Sequence, residues 1–292
     1  MVQSLFCFGF GYVAQYLAPH IAAQDGLVWG TQRDVKPGAP LFPYHGNEDL
    51  PDDARDALAQ AEAMLISIPP DLHGCPVARH IDDFLHDKDN LQWVGYLSTT
   101  GVYGHADGDW VDELSPTHPT SDRAEQRILA EEQWLQWGLD NNIPVHIFRL
   151  SGIYGPGRSP FDKITKGDTQ IIHAPGHVFN RIHVADIVNV LLSSMDNPDD
   201  GAIYNVSDDL PASQQDVMQF AFGLLQEPAP LPVDLDDAVL SPMAEEFYRD
   251  NKRVCNEKIK NALGVVLRYP TYSEGLIEIF ADHKPNSGAR TT

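Results

Sequence analysis

The chain has 292 residues and a formal net charge of −22, with 42 % apolar and 21 % charged residues. So acidic a chain lacks the positive footprint that nucleic acid or an anionic membrane surface requires, and no apolar run approaches the roughly 18 residues that span a bilayer. The length suits one large domain, or a nucleotide-binding domain with a smaller lobe.

Three cysteines, Cys7, Cys75 and Cys255, are far apart and odd in number, with no metal spacing and no disulfide framework. That pattern is expected of a reducing compartment. The apolar residues near the start follow no basic stretch and already read as a first strand, so no signal peptide is expected and the protein is placed in the cytoplasm. The sequence leaves the oligomeric state open; a homodimer is compatible with it. The expected partner is a small molecule.

Leu5–Phe8 reads as a short buried strand that stops at Gly9, turns tightly and opens a helix. Gly9-x-Gly11-x-x-Ala14 is the spacing that lets a pyrophosphate sit on a helix N-terminus. Gly9 can take positive φ, Gly11 lets backbone approach phosphate, and Ala14 is small enough for close helix–strand packing. Val13, Leu17 and Ile21 give the helix one apolar face, Pro19 is expected to kink it, and Asp25-Gly26 ends it. Leu27–Thr31 is the second strand, followed by Gln32-Arg33-Asp34. An acidic residue here would accept hydrogen bonds from the adenosine ribose, whereas an arginine would pair with a 2′-phosphate. Both types are present; Arg33 comes first and favours NADP over NAD.

Residues 35–50 are rich in proline and glycine, with a short strand expected at Leu41-Phe42. A helix over Asp52–Ala63 leads into the apolar run Ala63–Ile68, a parallel strand covered on both faces, which ends in Pro69-Pro70. A helix around Val77–Phe84 precedes the strand Trp93–Leu97, which runs into Ser98-Thr99-Thr100-Gly101-Val102-Tyr103-Gly104. Hydroxyls at the carboxyl end of a strand can orient a substrate carbonyl. Residues 121–139 read as an amphipathic helix with Ile128, Leu135 and Leu139 on its buried side. Then come a strand over 143–150, a loop over Gly152–Gly157, a helix over Ile187–Met195 and a last strand at Ala202–Val206. This alternation predicts an α/β fold, a Rossmann-type doubly wound parallel sheet over 1–206 with a substrate-loop insertion around 155–180. Residues 207–282 should form a smaller, mostly helical substrate lobe, and 283–292 a mobile tail.

Five motifs occur in order: Gly9-x-Gly11-x-x-Ala14, the hydroxyl run to Gly104, Arg149-Leu150-x-x-Ile153-Tyr154-Gly155-Pro156-Gly157, Arg181-Ile182-His183-Val184-x-Asp186 and Tyr204-Asn205-Val206. Together they resemble the extended short-chain dehydrogenase/reductases, the NAD(P)-dependent epimerase/dehydratase group. The resemblance implies cofactor contacts from Gly9, Phe10, Gly11, Tyr12, Val13, Arg33, Ser67, Pro69 and Ser98. It places the carbonyl-binding hydroxyl at Thr99. In that family a Tyr-x-x-x-Lys pair follows on the next helix; aligned here, Arg123 stands at the tyrosine and Arg127 at the lysine. A guanidinium stays protonated, so Arg123 cannot be the acid/base, although it can hold an oxyanion or an anionic group. Tyr103, Tyr154 and His183 lie on segments that approach the family's cleft, and Tyr103 is the first candidate to carry the proton in its place. Arg181 is implied as a substrate contact, with Tyr154 beside it.

Two readings follow. One is an NAD(P)-dependent oxidoreductase or epimerase/dehydratase-like enzyme acting on a small polar substrate, with nucleotide-linked substrates among the candidates. The other is an NADP(H)-binding redox sensor without turnover, which keeps the phosphate cradle and has lost the proton donor.

Overall fold

The structure, a computed structural model, describes residues 2–35, 41–46, 48–167, 169–199 and 201–282. The expected tail, 283–292, lies outside them. Seven strands form one sheet in the order Ile203–Val206, Val145–Leu150, Trp93–Thr99, Ala63–Ile66, Ser4–Phe8, Leu27–Gln32, Leu41–Pro43. Every neighbouring pair is parallel. The first strand lies inside the sheet. The chain moves from it to one edge, then returns to add the remaining strands on the other side. The reversal of direction falls between Ser4–Phe8 and Ala63–Ile66, the place where such sheets open a crevice at their carboxyl ends.

The strands are apolar on both faces because helices cover both. Side chains alternate accordingly. Leu5, Cys7, Ala63 and Leu65 enter one core with Leu17 and Ile187. Phe6, Phe8, Met64 and Ile66 enter the other, beneath Ala54, Ile81 and Trp134. The first helix, Tyr12–Ala22, buries Val13, Leu17 and Ile21 as its repeat predicts, and it runs through Pro19 to Ala22.

Two expectations are corrected. The long helix Asp122–Asn141 does not bury Leu139, which is 69 % exposed; its buried face carries Ala124, Ala130, Glu131, Trp134, Trp137 and Gly138. A glutamate on that face hid the true phase of the helix, because its charge is neutralised by a partner on another strand. Likewise Gly152–Gly157 is not all loop: Gly152–Tyr154 pairs in parallel with Arg181–His183.

Beyond the sheet, Tyr154, Phe161, Ala212, Val217, Ala221, Leu276 and Ile279 form a separate apolar cluster. Residues 259–267 pack instead with the sheet, where Ile259, Leu263 and Val265 join the first core. Among the described residues, no helix is long and apolar enough to cross a membrane.

The buried charge on the long helix is held by a chain of polar groups under the strand ends. Arg149 Nη2 donates to Glu131 Oε2 at 2.8 Å, and Ser98 Oγ donates to Glu131 Oε1 at 2.5 Å. Arg149 Nη1 donates to Tyr103 Oη at 3.0 Å, and Tyr103 Oη donates to Asn205 Oδ1 at 2.7 Å. Removing one member of a buried ion pair leaves an uncompensated charge, whereas replacing both with apolar groups is far less costly. Arg149→Met should therefore lower the unfolding free energy by about 3–5 kcal/mol. Glu131→Leu/Arg149→Met should recover most of that loss, as read by urea denaturation.

Candidate functional site

The turn after the first strand is built from its backbone outward. Gly9 has φ +91°, and a Cβ there would lie 2.6 Å from Ser67 Oγ. Its N–H donates to Thr31 Oγ1 at 3.0 Å, and its carbonyl accepts from Ser67 Oγ at 2.6 Å. Phe10 N–H donates to the Thr31 carbonyl at 2.7 Å, and Gln32 Nε2 donates to the Phe10 carbonyl at 2.8 Å. Strands on both sides of the first one thus clamp the turn. Gly11 caps the following helix without a side-chain hydrogen bond, and a Cβ built on it would meet no atom within 4 Å. The space above Gly11 is open, and the first turn of Tyr12–Ala22 carries the unpaired amide donors and positive dipole end of any helix start.

On one side of this turn Tyr12 Oη donates to the Pro156 carbonyl at 3.0 Å, and the Arg158 guanidinium lies over the Tyr12 ring, 5.8 Å from its centroid. Arg158 also lines a cleft of about 550 Å³ that includes Pro69, Thr99, Arg123 and Arg127. Thr99 caps the short 3-10 turn Thr100–Tyr103, its hydroxyl accepting from Gly101 N–H at 3.1 Å. Arg127 is held by the Leu97 carbonyl at 2.5 Å and lies over the Tyr96 ring. Arg123 is exposed one turn earlier on the same helix.

The opposite wall comes from helix Pro242–Arg249 and the residue after it: Glu246, Phe247, Arg249 and Asp250. Asp250 Oδ1 accepts from Thr120 Oγ1 at 2.8 Å, and Lys252 Nζ is 3.4 Å from Asp250 Oδ2. Lys252 is buried, which pulls its pKa down, and it donates to the Gly104 carbonyl at 2.8 Å. Arg158 had a local signal, directly following Gly155-Pro156-Gly157. Arg249 and Asp250 had none, since they join Thr99 from about 150 positions later in the chain. Thr31 read only as a strand residue, and Gln32 as the residue that follows the strand.

Several expected site residues stand elsewhere. Tyr103 is 2 % exposed, with its hydroxyl engaged by Arg149 and Asn205; burial raises its pKa, and it does not reach the cleft. Ser98 is buried with its hydroxyl on Glu131, so it is a strut of the buried network and not a surface open to a cofactor. Tyr154 is buried in the lobe cluster with its hydroxyl on the Thr271 carbonyl at 3.3 Å. Ser67 fastens the glycine turn through its hydroxyl. Arg33 is exposed at the end of the second strand.

His183 caps helix Val184–Asp196, its Nδ1 accepting from Ala185 N–H at 3.2 Å. Burial takes it down to about 4, so the imidazole is neutral at physiological pH. Arg181 donates to the Phe179 and Ala212 carbonyls, both at 2.9 Å, and stands near Asp208 and Tyr248 rather than at the cleft. Among the described residues no group of His, Cys, Asp or Glu is arranged to hold a metal ion.

The model of the NAD dependent epimerase/dehydratase family matches residues 83–207. Protein YeeZ of Escherichia coli K12 is 31 % identical over 285 residues, covering 90 % of this chain and 94 % of that protein. A solved structure of a functionally unknown conserved protein from Silicibacter pomeroyi DSS is 44 % identical, covers 97 % of this chain and all of that one, and superposes with a TM-score of 0.85. A dTDP-glucose 4,6-dehydratase from Bacillus anthracis, solved in complex with NAD, shares the fold at 14 % identity, with 96 % of each chain covered and a TM-score of 0.76. The chain belongs to the NAD dependent epimerase/dehydratase family and has its Rossmann-type sheet.

Asp208 gives a pH test of the interior near Arg181. It is 1 % exposed, its Oδ2 has no hydrogen-bond partner among the described residues, and burial pushes it up to about 8. The folded state then keeps a proton that the unfolded state releases, so this group costs stability increasingly as pH rises from about 4 toward 8. Asp208→Asn should stabilise the protein more at pH 8 than at pH 5, measured by urea unfolding at both.

Proposed function

We propose that this protein is an NAD(P)-dependent oxidoreductase or epimerase/dehydratase-like enzyme, acting on a small polar substrate of the sugar-nucleotide type. The observation that carries the reading is the open space above Gly11, followed in the chain by Tyr12, whose ring lies under Arg158, a lining residue of the Thr99 cleft. A dinucleotide fits this arrangement: its diphosphate would take the amides of the first helical turn, with Gly9, Phe10, Gly11, Tyr12 and Val13 forming the cradle. Pro69 would bound its nicotinamide end. Arg33, exposed at the end of the second strand, would pair with a 2′-phosphate, which is the ground for favouring NADP over NAD. The dehydratase of shared fold is complexed with NAD, so the fold alone does not select between the two.

The cofactor would supply hydride transfer; the chain supplies position and charge. Thr99 orients the substrate oxygen, and Arg127 keeps a positive charge where the family has lysine. Arg123 is permanently protonated and takes no part as a base. The carboxylate best placed to accept a proton is Asp250, which lines the cleft and is already bonded to the Thr120 hydroxyl. The second reading, a redox sensor without turnover, is favoured by one observation, the arginine at the tyrosine position.

Fluorescence titration with both cofactors tests the core of this proposal. NADPH should bind more tightly than NADH, and Arg33→Gln should weaken NADPH about tenfold, or ~1.4 kcal/mol, while leaving NADH unchanged. Gly11→Val should fold normally, because nothing crowds that position, and should lose cofactor binding. A screen for turnover over sugar nucleotides then separates the two readings. In the enzyme, Asp250→Asn lowers kcat with little change in cofactor affinity; tight NADPH binding with no turnover on any substrate favours the sensor.

A further inference from the structure

Four of the chain's twelve arginines, Arg123, Arg127, Arg158 and Arg249, line the one cleft beside Thr99. This is unexpected in a protein with 42 acidic and 20 basic residues. Two carboxylates, Glu246 and Asp250, line the same cleft, and Asp250 is already engaged by Thr120 and Lys252. Elsewhere four arginines are ion-paired: Arg55 to Asp49, Arg79 to Asp71, Arg149 to Glu131 and Arg268 to Glu278. In the cleft, the guanidiniums of Arg123, Arg158 and Arg249 have no hydrogen bond or ion pair among the described residues, and that of Arg127 bonds only a carbonyl and a phenol.

A second feature points the same way. Thr120 and Ser121, the cap of the 20-residue helix Asp122–Asn141, also line the cleft, so the positive end of that helix faces it. Guanidiniums cannot shed their charge, and four of them beside two carboxylates, one of which Lys252 already engages, leave an excess of positive charge that an anion would relieve.

We propose that the reacting unit of the substrate itself bears an anionic group, a carboxylate or a phosphate ester, held in this cleft by Arg123 and Arg249 from opposite walls. This rests on the reading of the cleft as the substrate site, and it refines the substrate class. The anion is additional to the cofactor's own phosphates. On the proposed reading those lie at the Gly11 turn and at Arg33, neither of which lines this cleft. In this arrangement Arg123 has exchanged the family's acid/base role for recognition of charge. Phe247, 60 % exposed on the same wall, supplies apolar cover for the ring or chain that carries the anion.

The test uses the full chain, with and without saturating NADPH, titrated with malonate, with inorganic phosphate and with uncharged malonamide, and read by intrinsic fluorescence and thermal shift. Malonate or phosphate should bind in the millimolar range or tighter and malonamide should not. Arg123→Gln and Arg249→Gln should each weaken the anion at least fivefold, with NADPH affinity changed less than twofold. Tighter malonate identifies a carboxylate, tighter phosphate a phosphate ester, and either sustains the proposal. It is overturned if the anions bind no better than malonamide, if binding survives in Arg123→Gln/Arg249→Gln, or if the anions compete with NADPH. Anion binding that is lost in the double variant, in a protein that binds no NADPH, would sink the dehydrogenase reading while leaving the anion site standing.

Discussion

The structure depends on one backbone constraint, the reversal at Gly9 that takes the chain from a fully buried strand into a helix pointing its amides at open space. A left-handed residue at the end of a buried strand has little freedom, and this one is fixed from both sides. Thr31 holds it from the second strand and Ser67 from the fourth. Because the reversal lies where the sheet changes direction of growth, the clamp and the crevice are the same piece of geometry. Strand order and turn conformation are not independent features here. A sheet built in another order would not have Thr31 and Ser67 flanking Gly9.

The buried network beneath the hydroxyl run serves the next layer. Ser98, Glu131, Arg149, Tyr103 and Asn205 join the strand that ends at Thr99, the long helix, and the two strands beyond. Apart from Asn205 Nδ2, which has no partner among the described residues, their polar atoms satisfy one another, which is the condition for keeping such groups inside a core. Thr99, the neighbour of Ser98, therefore projects from a fixed platform toward the cleft. Two groups that look chemical in sequence, the Ser98 hydroxyl and the Tyr103 phenol, are occupied with holding that platform.

The chemistry left to the cleft is dominated by positive charge. Family membership supplies the scaffold, and the first turns of the long helix present guanidiniums, Arg123 and Arg127, to the cleft. Their surroundings share that character, with Arg158 and Arg249 on the same cavity. Glu246 and Asp250 are the exceptions, and Asp250 accepts from Thr120 Oγ1, 130 positions earlier in the chain.

What the sequence determined by itself is local. The glycine turn was legible because positive φ beside a strand requires glycine, and the strands were legible because burial on both faces demands uninterrupted apolar residues. The first helix showed its phase through Val13, Leu17 and Ile21, all of which are buried. The phase of the long helix was not legible, because its inner face includes Glu131, and a buried charge is recognisable only once Arg149 is seen beside it. Tertiary structure alone decided which polar side chains are free. Tyr103, Tyr154 and Ser98 are spent on partners as much as 117 positions away, while Arg158, Arg249 and Asp250, separated in sequence by nearly a hundred residues, share one cleft. Backbone conformation and burial pattern follow from neighbours along the chain, but a side chain's availability depends on long-range contacts that no short stretch encodes.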